Sequence, residues 1–338
     1  MDSELQATVQ AMVQAGKGIL AADESAPTIA KRFLGIGLES TEENRRIYRS
    51  LILTAPGLGE FVSGVILFEE TLHQRDDQGM TLPQRAAQQG IVPGIKVDAG
   101  KIELALAPGD EITQGLDGLA QRLQTYRKQG ARFAKWRAVY NLNATLPGRA
   151  AIEANAHALA RYAAICQAQG VVPIVEPEVP IDGDHTLERC AQVSEAVLHE
   201  VFEALFRQGV VLEQVLLKPS MVLPGKQHSP SAAPAQVAAA TLQVLRRCVP
   251  AAVAGINFLS GGQTPQQASV HLDAMNRVGP QPWPLSFSYG RALLDPALRA
   301  WGGRAAQVGA AQAALLKRAR LNAAACQGRY TAAMEGPG

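Results

Sequence analysis

At 338 residues the chain is long enough for one large domain or two ordinary ones, with a substantial buried core in either case. Its 47% hydrophobic and 18% charged content suits a soluble globular protein, and 32 basic against 30 acidic residues leave a formal charge of only +2. No basic tail or long like-charge run stands out, so neither nucleic acid nor a membrane surface is an expected partner.

The N-terminus opens on Asp2, Ser3 and Glu4, without the basic-then-apolar layout of a signal peptide, and no apolar run approaches the roughly 18 residues that cross a bilayer. Cys166, Cys190, Cys248 and Cys326 are scattered and form no C-x-x-C pair, which points to buried free thiols in a reducing compartment. The expected location is therefore cytoplasmic.

The first strand-like run, residues 18–22, leads directly into Asp23, Glu24 and Ser25. Residues 62–68 form the second run, and residues 92–97 the third, which carries Lys96 near its end. The fourth, residues 132–136, contains Lys135. The fifth, residues 171–175, continues into Glu176, Pro177 and Glu178, and an i, i+2 spacing puts both carboxylates on one strand face. In the sixth, three apolar residues (215–217) run into Lys218, and Pro219 at once stops the strand. The seventh, residues 253–259, ends at Ser260, Gly261 and Gly262; the eighth, residues 285–287, ends at Ser288, Tyr289, Gly290 and Arg291. Helix-like stretches separate most of these runs, for example residues 151–169 closing at Gly170 and residues 186–208 closing at Gly209.

Eight such runs at intervals of roughly 30 to 45 residues suit eight βα units, and the expected fold is a single (β/α)8 barrel over residues 1–338. Residues 229–240 read as a loop entering a helix. Beyond about residue 304 an Ala- and Arg-rich helical segment precedes a short polar tail, residues 327–338, expected to be mobile. Neither G-x-G-x-x-G after the first strand nor a P-loop string is present, so nucleotide-binding sheets lose ground.

In a barrel, polar residues at strand C-terminal ends converge on one mouth. A lysine is a poor packing residue there and a good carbonyl nucleophile once a nearby cation or desolvation favours its neutral form. Lys135 beside Lys218 would supply that cation. Glu176 is placed to shuttle protons for a carbinolamine, Glu178 to orient the lysines or share their charge, and Asp23 to exchange a hydroxyl proton. The Ser260-Gly261-Gly262 turn offers bare N–H groups to a phosphate, and Arg291 a charge-assisted clamp on it. The six histidines show no ligand spacing and no G-x-S-x-G is present, so metal and serine-hydrolase chemistry are not expected.

These residues lie in strings that resemble one family, the class I, Schiff-base-forming fructose-bisphosphate aldolases. The matching blocks are GKGILAADES, FVSGVILFEET, VPGIKVD, FAKWR, VPIVEPEV, LLKPSMVLPG, FLSGGQ and FSYGRAL, in the family's order. The resemblance implies a (β/α)8 barrel that cleaves fructose 1,6-bisphosphate to dihydroxyacetone phosphate and glyceraldehyde 3-phosphate, without metal or other cofactor and as a homotetramer. It makes Lys218 the Schiff-base lysine, Glu176 the proton shuttle, and Asp23, Lys135 and Glu178 their catalytic partners. Ser260, Gly261, Gly262, Ser288, Gly290 and Arg291 resemble the group on the ketone-side phosphate. Ser25, Thr28, Arg32 and Lys96 resemble the group on the rest of the substrate, chiefly the aldehyde-side phosphate, and Arg137 of FAKWR joins the substrate contacts.

Two departures stand out. Thr28 occupies a position where the family usually has Ser, beside a Pro27 expected to stiffen its loop. The chain also stops at Gly338 with Tyr330 well before the end, so gating by a terminal tyrosine does not carry over. An enzyme of the same lysine chemistry acting on another ketose or on a keto acid, and a silent scaffold or binding protein, are the competing readings.

Overall fold

The computed structural model describes residues 2–336. Among the described residues ten short strands form, most of them rich in Val, Ile, Leu, Ala and Phe. They are β1 (Gly18–Ala22), β2 (Val62–Leu67), β3 (Val92–Lys96), β4 (Lys101–Glu103), β5 (Glu111–Thr113), β6 (Phe133–Val139), β7 (Val172–Glu178), β8 (Leu216–Leu217), β9 (Gly255–Phe258) and β10 (Leu285–Tyr289). Eight of them close a parallel barrel in the order β1-β10-β9-β8-β7-β6-β3-β2. All eight strand-like runs of the sequence are barrel strands, and the (β/α)8 expectation holds.

The exceptions are β4 and β5, an antiparallel hairpin outside the barrel that pairs Lys101 with Thr113 and Glu103 with Glu111. Three-residue strands are too short to show a period-two pattern, so the sequence gives no sign of them. Thr113 ties the hairpin to the barrel through a 2.8 Å hydrogen bond from its hydroxyl to the Arg137 carbonyl.

Alternation along each strand builds the site. Ile19, Ala21, Ile66, Phe133, Ile174 and Leu216 point inward and form one apolar cluster with Leu5, Val9 and Met12 of the helix Asp2–Met12. Every second residue faces the same way, so two steps beyond Ala21, Phe133, Ile174 and Leu216 come Asp23, Lys135, Glu176 and Lys218. The inward positions are thus apolar below and ionic above, which keeps the charges at the C-terminal mouth.

Outside the barrel, helices Arg149–Ala168 and Leu187–Arg207 pack together and cover β6 and β7. Thr186 caps the second of these, its hydroxyl accepting from Arg189 N at 3.1 Å.

Two expectations are corrected. Pro27 does not stiffen a loop: Ser25 is the N-cap of the helix Ala26–Leu34, and Pro27 sits in its first turn, where a missing N–H costs nothing. The tail is not loose over residues 327–336. Tyr330 is buried, its N–H donates to Asp273 at 2.8 Å, and its hydroxyl donates to Glu335 at 2.7 Å. Glu335 also pairs with the buried Arg318 at 2.5 Å. Residues 337 and 338 of the expected mobile tail lie outside the described residues.

Candidate active site

Four charged side chains meet at the top of the barrel. Lys135 Nζ lies 2.7 Å from Asp23 Oδ2 and 3.2 Å from Glu176 Oε2, while Lys218 Nζ lies 3.2 Å from Glu176 Oε1. The side chains of Lys135, Glu176 and Lys218 are each about 5% exposed or less, so these pairs act with little solvent screening. The expected contact between the two lysines is modified. Glu176 stands between them and gives one oxygen to each.

Electrostatics fixes two of the four protonation states. Burial would push the Asp23 carboxyl up, but Lys135, Lys218 and Lys96 outweigh it and hold it at about 2. Burial would push Lys135 down, but Asp23, Glu176 and then Asp98 outweigh it and raise its pKa above the ordinary lysine value. Asp23 is therefore a carboxylate and Lys135 a fixed cation at neutral pH. Glu176 Oε2 meets the Lys135 ammonium as an ion pair at 3.2 Å without a well-directed hydrogen bond. An amine 3.2 Å from a carboxylate that can take and return protons is suited to condensation with a carbonyl.

Glu178 does not reach either lysine. The guanidinium of Arg137 binds it; each β6 cation meets the β7 residue two beyond its register partner, Lys135 reaching Glu176 past Ile174 and Arg137 reaching Glu178 past Glu176. Lys96 is held by Asp98, 2.6 Å from its Oδ1 and 2.7 Å from its backbone carbonyl. Asp98 lies two residues beyond Lys96 and so on the same strand face, a signal the sequence contained but to which no role was given. Arg32 pairs with Glu24, which stands at the end of the first strand between Asp23 and Ser25.

Two helix N-termini flank the tetrad. At the end of β1, Ser25 N-caps Ala26–Leu34 without using its side chain to do so; its hydroxyl instead lies 3.1 Å from that of Thr28. At the end of β10, Gly290 is the N-cap of the helix Arg291–Trp301, and the Ser288 hydroxyl just before it is buried without a partner. Helix N-termini attract anions. Beside them, Gly261 and Gly262 turn the chain after β9 at φ of 56° and 85°, a conformation that favours glycine. A Cβ on Gly262 would sit 3.6 Å from Arg291 Nη2 and 2.8 Å from Lys226 Nζ, so this turn, Arg291 and Lys226 share one corner of the mouth. Lys226, immediately after the LLKPSMVLPG string, was missed because nothing local marks a loop lysine.

Among the described residues no cluster of three His, Cys, Asp or Glu is placed to hold a metal ion, and no helix is long and apolar enough to cross a membrane.

The whole chain has clear relatives. The family model for fructose-bisphosphate aldolase class-I matches residues 4–337. A probable class 1 fructose-bisphosphate aldolase of Xanthomonas campestris is 52% identical over 328 residues, 97% of this chain and 98% of its own. The cytosolic fructose-bisphosphate aldolase 5 of Arabidopsis thaliana is 50% identical over 334 residues, 98% of this chain and 93% of its own. The fructose-bisphosphate aldolase of Plasmodium falciparum, solved in complex with TRAP and a small-molecule inhibitor, superposes with a TM-score of 0.96 at 49% identity, covering 97% of this chain and 95% of that one. The chain belongs to the class I fructose-bisphosphate aldolases, metal-independent enzymes that reversibly cleave fructose 1,6-bisphosphate to dihydroxyacetone phosphate and glyceraldehyde 3-phosphate through a lysine Schiff base, in glycolysis and gluconeogenesis.

Proposed function

We propose that Lys218 is the nucleophile of this reaction, and the observation that carries the assignment is Glu176 spanning Lys218 and Lys135 at 3.2 Å from each. Glu176 takes a proton from Lys218 and the freed amine adds to the C2 ketone; a second proton passes from nitrogen to the carbinolamine oxygen, Glu176 returns the first, and the oxygen leaves as water to give an iminium. Asp23 takes the C4 hydroxyl proton. The C3–C4 bond then breaks, its electron pair moves into the iminium to give an enamine, and glyceraldehyde 3-phosphate departs. Protonation at C3 and hydrolysis of the imine release dihydroxyacetone phosphate and restore the amine. Lys135 remains charged throughout and steadies Asp23 and Glu176 as they gain and lose protons.

The ketone-side phosphate is assigned to Ser260, Gly261, Gly262, Ser288, Gly290 and Arg291. The rest of the substrate, with its aldehyde-side phosphate, is assigned to Ser25, Thr28, Arg32, Lys96 and Arg137; Glu178 acts by holding Arg137 rather than by touching a lysine. The helix N-termini and the unpartnered Ser288 hydroxyl support this division. The chain is further read as one domain that works without a cofactor as a cytoplasmic homo-oligomer. Support for association comes from membership of the family, for which the resemblance implies a homotetramer.

Borohydride reduction in the presence of dihydroxyacetone phosphate, followed by peptide mapping, tests the nucleophile. One adduct on the peptide holding Lys218 is expected, and it should be lost in Lys218→Arg, because a guanidinium stays protonated and forms no imine. An adduct on another lysine would overturn the assignment. Dialysis against a strong chelator should leave cleavage intact; loss that Zn²⁺ restores would refute cofactor independence.

A further inference from the structure

The loops that leave β7 and β8 clasp each other beside the mouth. Lys226 N donates to the Ile181 carbonyl at 2.8 Å, Gln227 N to that of Gly183 at 2.9 Å, and Gly225 N to that of His185 at 2.8 Å. The approach is close enough that a Cβ on Gly225 would lie 2.3 Å from the Gly183 carbonyl oxygen, so only glycine fits. This clasp fixes the backbone of Lys226 and sends its ammonium over the Gly262 Cα, on the same turn that Arg291 flanks. The only carboxylate paired with it among the described residues is that of Asp182, at 3.3 Å. Both partners are open to water, 47% and 81% exposed, and an exposed pair of that kind is weak and readily exchanged.

From this arrangement we propose that Lys226 is a further specificity-determining residue, a second cation on the ketone-side phosphate, parked on Asp182 until the phosphate arrives. The inference rests on the assignment of that phosphate to the Ser260-Gly261-Gly262 turn and Arg291. The physical reason is charge matching. A phosphate monoester is close to a dianion at neutral pH, and Arg291 supplies one positive charge. Lys226 supplies the second at the same glycine, Gly262, that Arg291 approaches. Asp182 holds the ammonium near its working place, and its exposure makes it easy for a dianion to displace. Lys226 touches no reacting atom; it selects a phosphorylated over an unphosphorylated ketone.

The test is the concentration dependence of borohydride trapping, measured with dihydroxyacetone phosphate and with unphosphorylated dihydroxyacetone. Lys226→Gln should raise the half-saturating concentration of the phosphorylated ketone about tenfold, the effect of one charge-assisted contact, and leave trapping by dihydroxyacetone unchanged. Lys226→Arg should restore most of the affinity, and Asp182→Asn should tighten it a few-fold by removing the competing carboxylate. Unchanged half-saturation in Lys226→Gln, or equal losses with both ketones, overturns the inference. Arg291→Ala, run in parallel, separates the two readings. If it too leaves the phosphorylated ketone unaffected, the phosphate assignment itself fails. If it weakens that ketone while Lys226→Gln does not, only the role of Lys226 falls.

Discussion

Replacing Lys135 by methionine removes the cation between Asp23 and Glu176 while keeping an unbranched side chain of similar bulk. Its Nζ sits 2.7 Å from one carboxylate and 3.2 Å from the other. The fall of the Asp23 pKa from an ordinary 3.8 to about 2 corresponds to about 2–3 kcal/mol of preference for its ionised form. Lys135 is the largest favourable contributor to that preference. Removing one member of a buried ionic cluster typically costs about 3–5 kcal/mol, because the remaining charges are left uncompensated. Lys135→Met should therefore lose about 3 kcal/mol of stability at pH 7, and kcat/KM should fall by roughly a hundredfold or more as proton transfer is impaired. The pH dependence has a definite sign. A carboxyl depressed in the native state adds stability above its unfolded pKa, and that stability is lost as pH falls through the native value. The gap between wild type and variant should be full above about pH 4 and close toward pH 2. Denaturant melts across this range, with carbon-13 NMR of the Asp23 carboxyl, measure both effects. A stability gap independent of pH, together with an Asp23 that still titrates at about 2 in the variant, would refute the electrostatic account.

Lys96→Ala should slow cleavage of fructose 1,6-bisphosphate by about ten- to a hundredfold, the loss of a charge-assisted contact, and change cleavage of fructose 1-phosphate little, since that substrate lacks the aldehyde-side phosphate. Comparable losses on both substrates would show that the phosphate assignment is wrong. Glu335→Gln leaves the buried Arg318 without its carboxylate and should lower the melting temperature by several degrees with kcat/KM unchanged, as read by calorimetry and a steady-state assay. An unaltered melting temperature would mean that the tail contributes nothing to the fold.

Much of the fold could be read from the chain. The barrel strands are short runs of apolar residues because both their faces are buried, and a proline or glycine marks some of their ends, such as Pro219 after β8 and Gly290 after β10. Period-two alternation carries from Ile174 to Glu176 and from Leu216 to Lys218, so the inward direction of the key charges follows from their position in the run. The eight-string resemblance added what physical pattern alone could not, the identity of the substrate.

Which charge meets which was decided only in three dimensions. Glu176 and Glu178 share a strand face and look interchangeable along the chain, yet the registers of β7 with β6 and with β8 give the first to two lysines and the second to Arg137. Lys218 and Lys135 are 83 positions apart, and whether they touch or are bridged depends on the rotation of β7 between them. Lys226 owes its place to hydrogen bonds between two loops that no local pattern encodes. Local sequence sets the direction in which a side chain leaves its strand, because the pleat has a fixed period. Contact partners depend on register, barrel closure and loop packing, which are properties of segments far apart in the chain.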